Sequence, residues 1–165
     1  MIASIGCLAV ALFAAAFFHG REVDLARQIA LAREQLRTQS IALTRSNEAL
    51  VILRAPDTRV FSFGGEHPLE GAIFASQSQG ILLVAYGLAP AAPGKVYQMW
   101  LVPRHGMPRP AGVFAGTADS TALHVYKETV DLAAIASIEV TLETQPGAGQ
   151  PASQPAGTPV IRAQL

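Results

Sequence analysis

Asp119, Ser120 and His124 stand close together in the chain. An acid, a hydroxyl and an imidazole are the parts of a nucleophilic triad. Their setting argues against one. No strand, Gly-x-Ser-x-Gly elbow and helix enclose Ser120, and Asp-Ser-Thr between two strands is ordinary turn chemistry. His105, Met107, His124 and Met99 offer soft and nitrogen ligands that a small β-domain could turn to copper. A blue-copper centre also needs a thiolate. The single cysteine, Cys7, lies in the apolar N-terminus, so only a looser surface pair of His105 with Met107 is left, and Met99 reads as core. Glu139 and Glu143 share one face of a predicted strand, but four residues of rise separate them by about 13 Å. Paired catalytic carboxylates stand roughly 5–9.5 Å apart, so these two read as a solvated face. No zinc-ligand spacing and no phosphate-binding glycine loop is present. The expectation is a protein that is not an enzyme and needs no cofactor or metal.

The elements that would position such residues are short strands. Val96-Tyr97-Gln98-Met99-Trp100-Leu101-Val102 holds the only tryptophan and is bounded by Pro93-Gly94 and by Pro103-Arg104-His105-Gly106. A β-branched and aromatic run between turn formers reads as a central strand. Alternation puts Tyr97, Met99 and Leu101 on one face and Gln98, Trp100 and Val102 on the other. An aromatic platform for a sugar or peptide is conceivable there, but a mid-strand tryptophan more often packs in a core. Further strands are predicted at Arg59–Phe63, Ala72–Ser76, Ile81–Leu88, Gly112–Phe114, Ala122–Tyr126, Ser137–Glu143 and Pro159–Ala163. In Ser137–Glu143, Ile138, Val140 and Leu142 alternate with polar residues, a pattern for one buried face. Ile81–Val84 is apolar throughout and suits a strand covered on both sides. Val130–Ala136 reads equally as a helical turn or a strand edge. The Gln/Pro/Gly/Ala stretch 145–159 cannot be a central strand, because its prolines lack ladder donors; it reads as a long exposed hairpin loop. The fold class expected is mainly β, a β-sandwich.

Two different segments precede that domain. Residues 1–18 carry no charged side chain. At about 1.5 Å per residue they span roughly 27 Å, close to the hydrocarbon core of a bilayer. A cleaved signal peptide with Ala14-Ala15-Ala16 at its end is the alternative, though no basic residue precedes the run. A lipoprotein reading fails, since no apolar stretch precedes Cys7. From 19 to 55 the chain is charged and helical in pattern, with Ile29, Leu36, Leu43 and Leu50 at seven-residue spacing. Leu25, Ala32 and Leu53 take the neighbouring seam position, but so do Gln39 and Ser46. The seam suits a two-stranded coiled coil or a lone amphipathic stalk. Pro56 ends it. The organisation expected is a transmembrane helix (1–18), a helical stalk (19–55) and a β-sandwich domain (56–165). With 12 basic and 12 acidic side chains, the chain lacks the basic excess of a nucleic-acid binder.

The order Tyr97-Gln98-x-Trp100-Leu101, Ala111-Gly112-x-Phe114, Val140-Thr141-x-Glu143, followed by a Gly/Pro-rich stretch, resembles the extracytoplasmic C-terminal domain of the anti-sigma-K factor family. The resemblance covers residues 56–165 and rests on several short motifs in the right order. It departs from the family after Glu143, where the loop is extended. It implies a single-pass regulator that holds an extracytoplasmic-function sigma factor inactive. It also implies release of that factor by regulatory proteases acting outside and then within the membrane. Ser4 and Gly6 lower helix propensity in the apolar run, which fits such a substrate.

In the resembled family a cytoplasmic helical domain precedes the span and binds the sigma factor. This sequence opens at the span, so the expectation is that it carries the anchor and the extracytoplasmic sensor, with sigma-factor binding through a domain not present in it. The runner-up is an anchored or secreted ligand-binding sandwich. Orientation divides the two lines of reasoning. Arg21, Arg27, Arg33 and Arg37 follow the run and no basic residue precedes it, which by the positive-inside rule puts the C-terminal part in the cytoplasm. The resemblance puts it outside, and that is the expectation adopted: a plasma-membrane protein with its β-domain outside the cytoplasm, able to self-associate through the stalk.

Overall fold

The computed structural model describes residues 3–64, 69–144 and 154–165. The chain is mainly β, with one helix and two antiparallel four-stranded sheets. It divides into two compact units, Met1–Thr44 and Arg45–Leu165.

The first unit is helical, part of α1 (Ala3–Arg54), which runs without a break through the apolar run and the charged segment. The side chains of the apolar run, and those of Leu25 and Ile29, lie outside the described residues. Among the described residues no helix is long and apolar enough to cross a membrane. Leu36 and Leu43, one seven-residue step apart, are 66% and 72% exposed.

The second unit begins with the last turns of α1. The helix stops where the sequence says it must, before Pro56. Its freed carbonyls are taken up locally. Ala55 N–H donates to Ile52 O, and so does the Thr58 hydroxyl. Arg54 adds a cation at the negative end of the helix dipole.

Eight strands follow: β1 (Arg59–Phe63), β2 (Glu70–Ser76), β3 (Gly80–Tyr86), β4 (Lys95–Pro103), β5 (Arg109–Phe114), β6 (Thr121–Tyr126), β7 (Ile135–Thr144) and β8 (Ile161–Gln164). Each predicted strand is present, most of them lengthened by a residue or more. The open case, Val130–Ala136, is a turn closed by Ala134 N–H on Asp131 O, after which β7 begins.

One sheet has the order β1-β2-β3-β6 and the other β5-β4-β7-β8. Sequential hairpins build part of each sheet. The two long-range pairings, β3 with β6 and β4 with β7, come from the chain crossing between sheets.

The sheets face each other over one core. Ile73, Ile81 and Leu83 from the first meet Met99, Leu101 and Ile138 from the second, and all are fully buried. At roughly 1.5–3 kcal/mol per large apolar side chain, this layer is the main stabilising term of the domain. Strand β3 is covered on its other face too. There Leu82 packs with Ala49 and Ile52 from the end of α1, as its unbroken apolar run predicts. Lys127 Nζ closes on Glu48 Oε1 at 2.6 Å beside this contact.

Two expectations about β7 need correction. Glu143 is not on a solvated face; it is 2% exposed. Leu142, expected in the core with Ile138 and Val140, is 38% exposed. The strand is covered on both faces, since Ser137, Thr141 and Glu143 are buried as well as Ile138 and Val140. Glu139 is partly buried and pairs with Arg162 of β8 at 2.8 Å. Of the 145–159 loop, residues 145–153 lie outside the described residues. The described end is not a free loop, because Ala156 N–H donates to Glu143 Oε1 at 3.0 Å.

Candidate functional site

The ten motif residues fall into two groups on the second sheet. Tyr97, Leu101 and Val140 point into the inter-sheet core. Gln98, Trp100, Thr141 and Glu143 point the other way, and all four are buried. Pairing of β4 with β7 sets Gln98 opposite Thr141 and Val96 opposite Glu143. Side chains two apart on a strand share a face, so Thr141 and Glu143 stand next to each other, beside the Trp100 ring. A hydrogen-bonded chain results. Trp100 Nε1–H donates to Thr141 Oγ1 at 2.8 Å, and the Thr141 hydroxyl donates to Glu143 Oε1. The same oxygen takes Ala156 N–H. A buried carboxylate thus ties the segment leading to β8 to the outer face of the sheet. Sequence patterning missed this brace because it treated that face as solvated.

The Ala-Gly-x-Phe motif builds the second group. Opposite the single residue Met99, β5 fits both Ala111 and Gly112, so the ladder shifts register there. Gly112 absorbs the bulge at φ +100°. The Ala111 carbonyl is aimed at β6, where His124 Nε2 lies 2.8 Å from it. A carbonyl only accepts, so Nε2 carries the proton and Nδ1 is the basic nitrogen. The His124 ring stacks on Phe114 at 5.0 Å between centroids, and Phe114 on Tyr97 at 5.8 Å. Tyr97 O–H donates to Ala89 O. Burial holds His124 below the ordinary imidazole range, opposed by the Ala111 bond and reinforced by the Arg45 charge. Burial raises Tyr97.

The remaining chemical candidates are not brought together. Asp119 is engaged by the Thr117 and Thr121 hydroxyls, which hold its carboxyl below the usual range. Ser120 adopts φ 58° in the turn and donates its N–H to Thr117 O. The imidazole of His124 faces Ala111 instead. Met107 is exposed and Met99 sits in the core. Among the described residues no group of three or more His, Cys, Asp or Glu is placed to hold a metal ion.

Beside His124 opens a cleft of about 460 Å³. Arg45 and Glu48 from the end of α1 form one wall. Val113 to Thr117 and Leu123 to Val125 form the others. Nothing in the sequence points to it, since its walls come from three distant segments.

Fold and site together define a β-sandwich module whose motif residues serve to brace one sheet and to seat one histidine between two sheet edges. The family described as "Anti-sigma-K factor rskA, C-terminal" matches residues 5–159. Anti-sigma-K factor RskA of Mycobacterium tuberculosis is 38% identical over 107 residues, which is 65% of this chain and 44% of that protein. A Streptomyces griseus protein, "Uncharacterized protein in phr 5'region", is 35% identical over 153 residues, 90% of this chain and 60% of that one. A Mycobacterium bovis relative named "Dysfunctional anti-sigma-K factor RskA" is 36% identical over 110 residues. This chain therefore spans about half the length of the curated relatives it matches. No solved structure matches it. The chain belongs to the anti-sigma-K factor family and carries its C-terminal domain. That family is one of regulators, not of enzymes.

Proposed function

We propose that this chain is the anchoring and extracytoplasmic sensing part of an anti-sigma factor that restrains an extracytoplasmic-function sigma factor. The observation that carries the reading is the extent of the family match. It starts at residue 5, so it takes in the apolar run and the charged helix as well as the β-domain. On this reading residues 1–18 anchor the protein in the plasma membrane, 19–55 form the stalk, and 56–165 stand outside the cytoplasm. Sigma-factor capture belongs to a helical element and not to the β-domain, which among its described residues has neither a basic face for nucleic acid nor a helical clamp. Regulatory proteases are the expected means of release.

A fusion of alkaline phosphatase after Leu165 tests the reading. Activity in intact cells, retained in carbonate-washed membranes, is the expected result. The arginines after the apolar run oppose translocation, so activity is expected to be partial. An inactive fusion overturns the extracytoplasmic placement, and one that washes off overturns the anchor. Capture of a sigma factor by residues 57–165 overturns the division of labour.

The cleft beside His124 favours a second reading, a ligand-binding sandwich module. The two are compatible, since a sensor domain needs something to sense.

A further inference from the structure

We propose that the cleft between the end of α1 and the edges of β5 and β6 binds an apolar carboxylate. The ligand class is a short aliphatic acid, or an aliphatic residue at the free C-terminus of a peptide. The proposal goes beyond the regulatory reading and stands without it.

Its volume, about 460 Å³, lies within the range of roughly 300–1,000 Å³ that small-ligand sites occupy. Its charge is what selects the ligand. Two ionised groups line it, Arg45 and Glu48. Glu48 is neutralised, its Oε1 lying 2.6 Å from Lys127 Nζ. Arg45 has no ion pair or hydrogen bond among the described residues. The wall therefore carries one uncompensated guanidinium, a planar fork that matches a carboxylate in two parallel hydrogen bonds.

The third polar group is the His124 ring. It is committed through Nε2 to Ala111 O, and its burial favours the neutral form, so it adds no competing charge. Arg45 already acts on that ring as a neighbouring cation. Thr117 adds a hydroxyl already engaged by Asp119 and Thr121, Phe114 adds an aromatic edge, and the remaining side chains of the lining are aliphatic. Leu123 is about half exposed on β6, with Val113 and Val125 beside it. One cation next to the apolar side chains of Val113, Phe114, Leu123 and Val125 suits a monoanion with a short apolar tail. A polyanion finds one partner and a neutral ligand leaves the guanidinium unmatched.

The test follows the Arg45 Nε–H and His124 ring resonances of the full chain by NMR while hexanoate is added. Saturable changes at both are expected. Neutralisation of Arg45 by the bound anion also raises the pH at which His124 titrates. Arg45→Met is expected to weaken hexanoate binding by about tenfold or more, the scale of a lost charge-assisted pair. Leu123→Ser is expected to weaken hexanoate while leaving acetate unchanged. Both positions are exposed, so undisturbed dispersion of the remaining signals is expected. The tripeptide Ala-Val-Leu, as free acid and as C-terminal amide, separates the sources. Tighter binding of the peptide acid than of hexanoate assigns peptide termini, and the reverse order assigns free acids. Equal binding of peptide acid and amide overturns the proposal. So does unsaturable drift scattered over the surface, or undiminished binding to Arg45→Met.

Discussion

A β-carbon on Gly112 would lie 2.7 Å from two ring atoms of His124. The glycine on β5 and the histidine on β6 are thus a matched pair, one in each sheet, and the ring occupies space that only a residue without a side chain leaves free. The ring is also pinned by the Ala111 carbonyl and by Phe114. Gly112→Ala therefore meets two penalties, the clash and a φ of +100°. Together they are expected to cost about 1–3 kcal/mol. Adding His124→Ala should recover the steric share and leave the backbone share. Urea unfolding of the four proteins in the cycle, followed by Trp100 fluorescence, separates the two. Strictly additive losses would show that the ring and the glycine do not compete for space.

The brace on the second sheet makes Thr141 the central link, donor to Glu143 and acceptor from Trp100. Thr141→Val keeps the shape, strands a buried indole N–H and leaves the buried Glu143 carboxylate only its bond from Ala156 N–H. The expected loss is roughly 1–3 kcal/mol, with Thr141→Ser retaining most of the stability. An equal loss in the two variants would mean that packing, not the hydroxyl, is what matters.

Trp100 itself is 0% exposed. Its emission is expected to be blue-shifted and shielded from iodide, and Trp100→Ala to cost roughly 3–5 kcal/mol. Full quencher access, with emission like that of free tryptophan, would contradict the burial.

Acid should weaken the domain through His124. Its folded pKa is held below the unfolded 6.5, by burial first and by Arg45 in addition. The unfolded chain then binds the proton more readily, so stability rises with pH across that interval. The contribution is complete above pH 6.5 and lost as pH falls through the folded value. Urea midpoints at pH 7.5 and 5.5 are expected to differ in the wild type and to converge in His124→Gln. A pH dependence that survives this substitution would place the titrating group elsewhere.

Self-association through the stalk is expected to be weak. Leu36 and Leu43 are exposed in the single chain, while Gln39 and Ser46 fall on the other seam position. Polar seam residues lower coiled-coil affinity. Sedimentation of the detergent-solubilised chain should show a concentration-dependent dimer that Leu36→Asp with Leu43→Asp abolishes. A monomer at every concentration would make the helix a stalk and nothing more.

Where the elements lie and what they are is legible in the order of residues alone. Turn formers bound each strand, alternation marks the core face of β4, and Pro56 ends the helix. These signals are local, carried by backbone sterics and side-chain periodicity. The motif order also sufficed to indicate the family. Which residue lies opposite which is set by the packing of the two sheets. Alternation in β7 marked Ile138 and Val140 correctly, yet it assigned Glu143 to solvent and Leu142 to the core. The cover over Glu143 is supplied by Ala156, thirteen positions further along the chain, and no periodicity within β7 can report it. The Gly112–His124 fit requires β3 to pair with β6 and β4 with β5 in different sheets. The cleft at Arg45 requires the end of α1 to pack on the first sheet. Each depends on contacts between distant segments, and their free energy is settled only when the whole domain closes on its core.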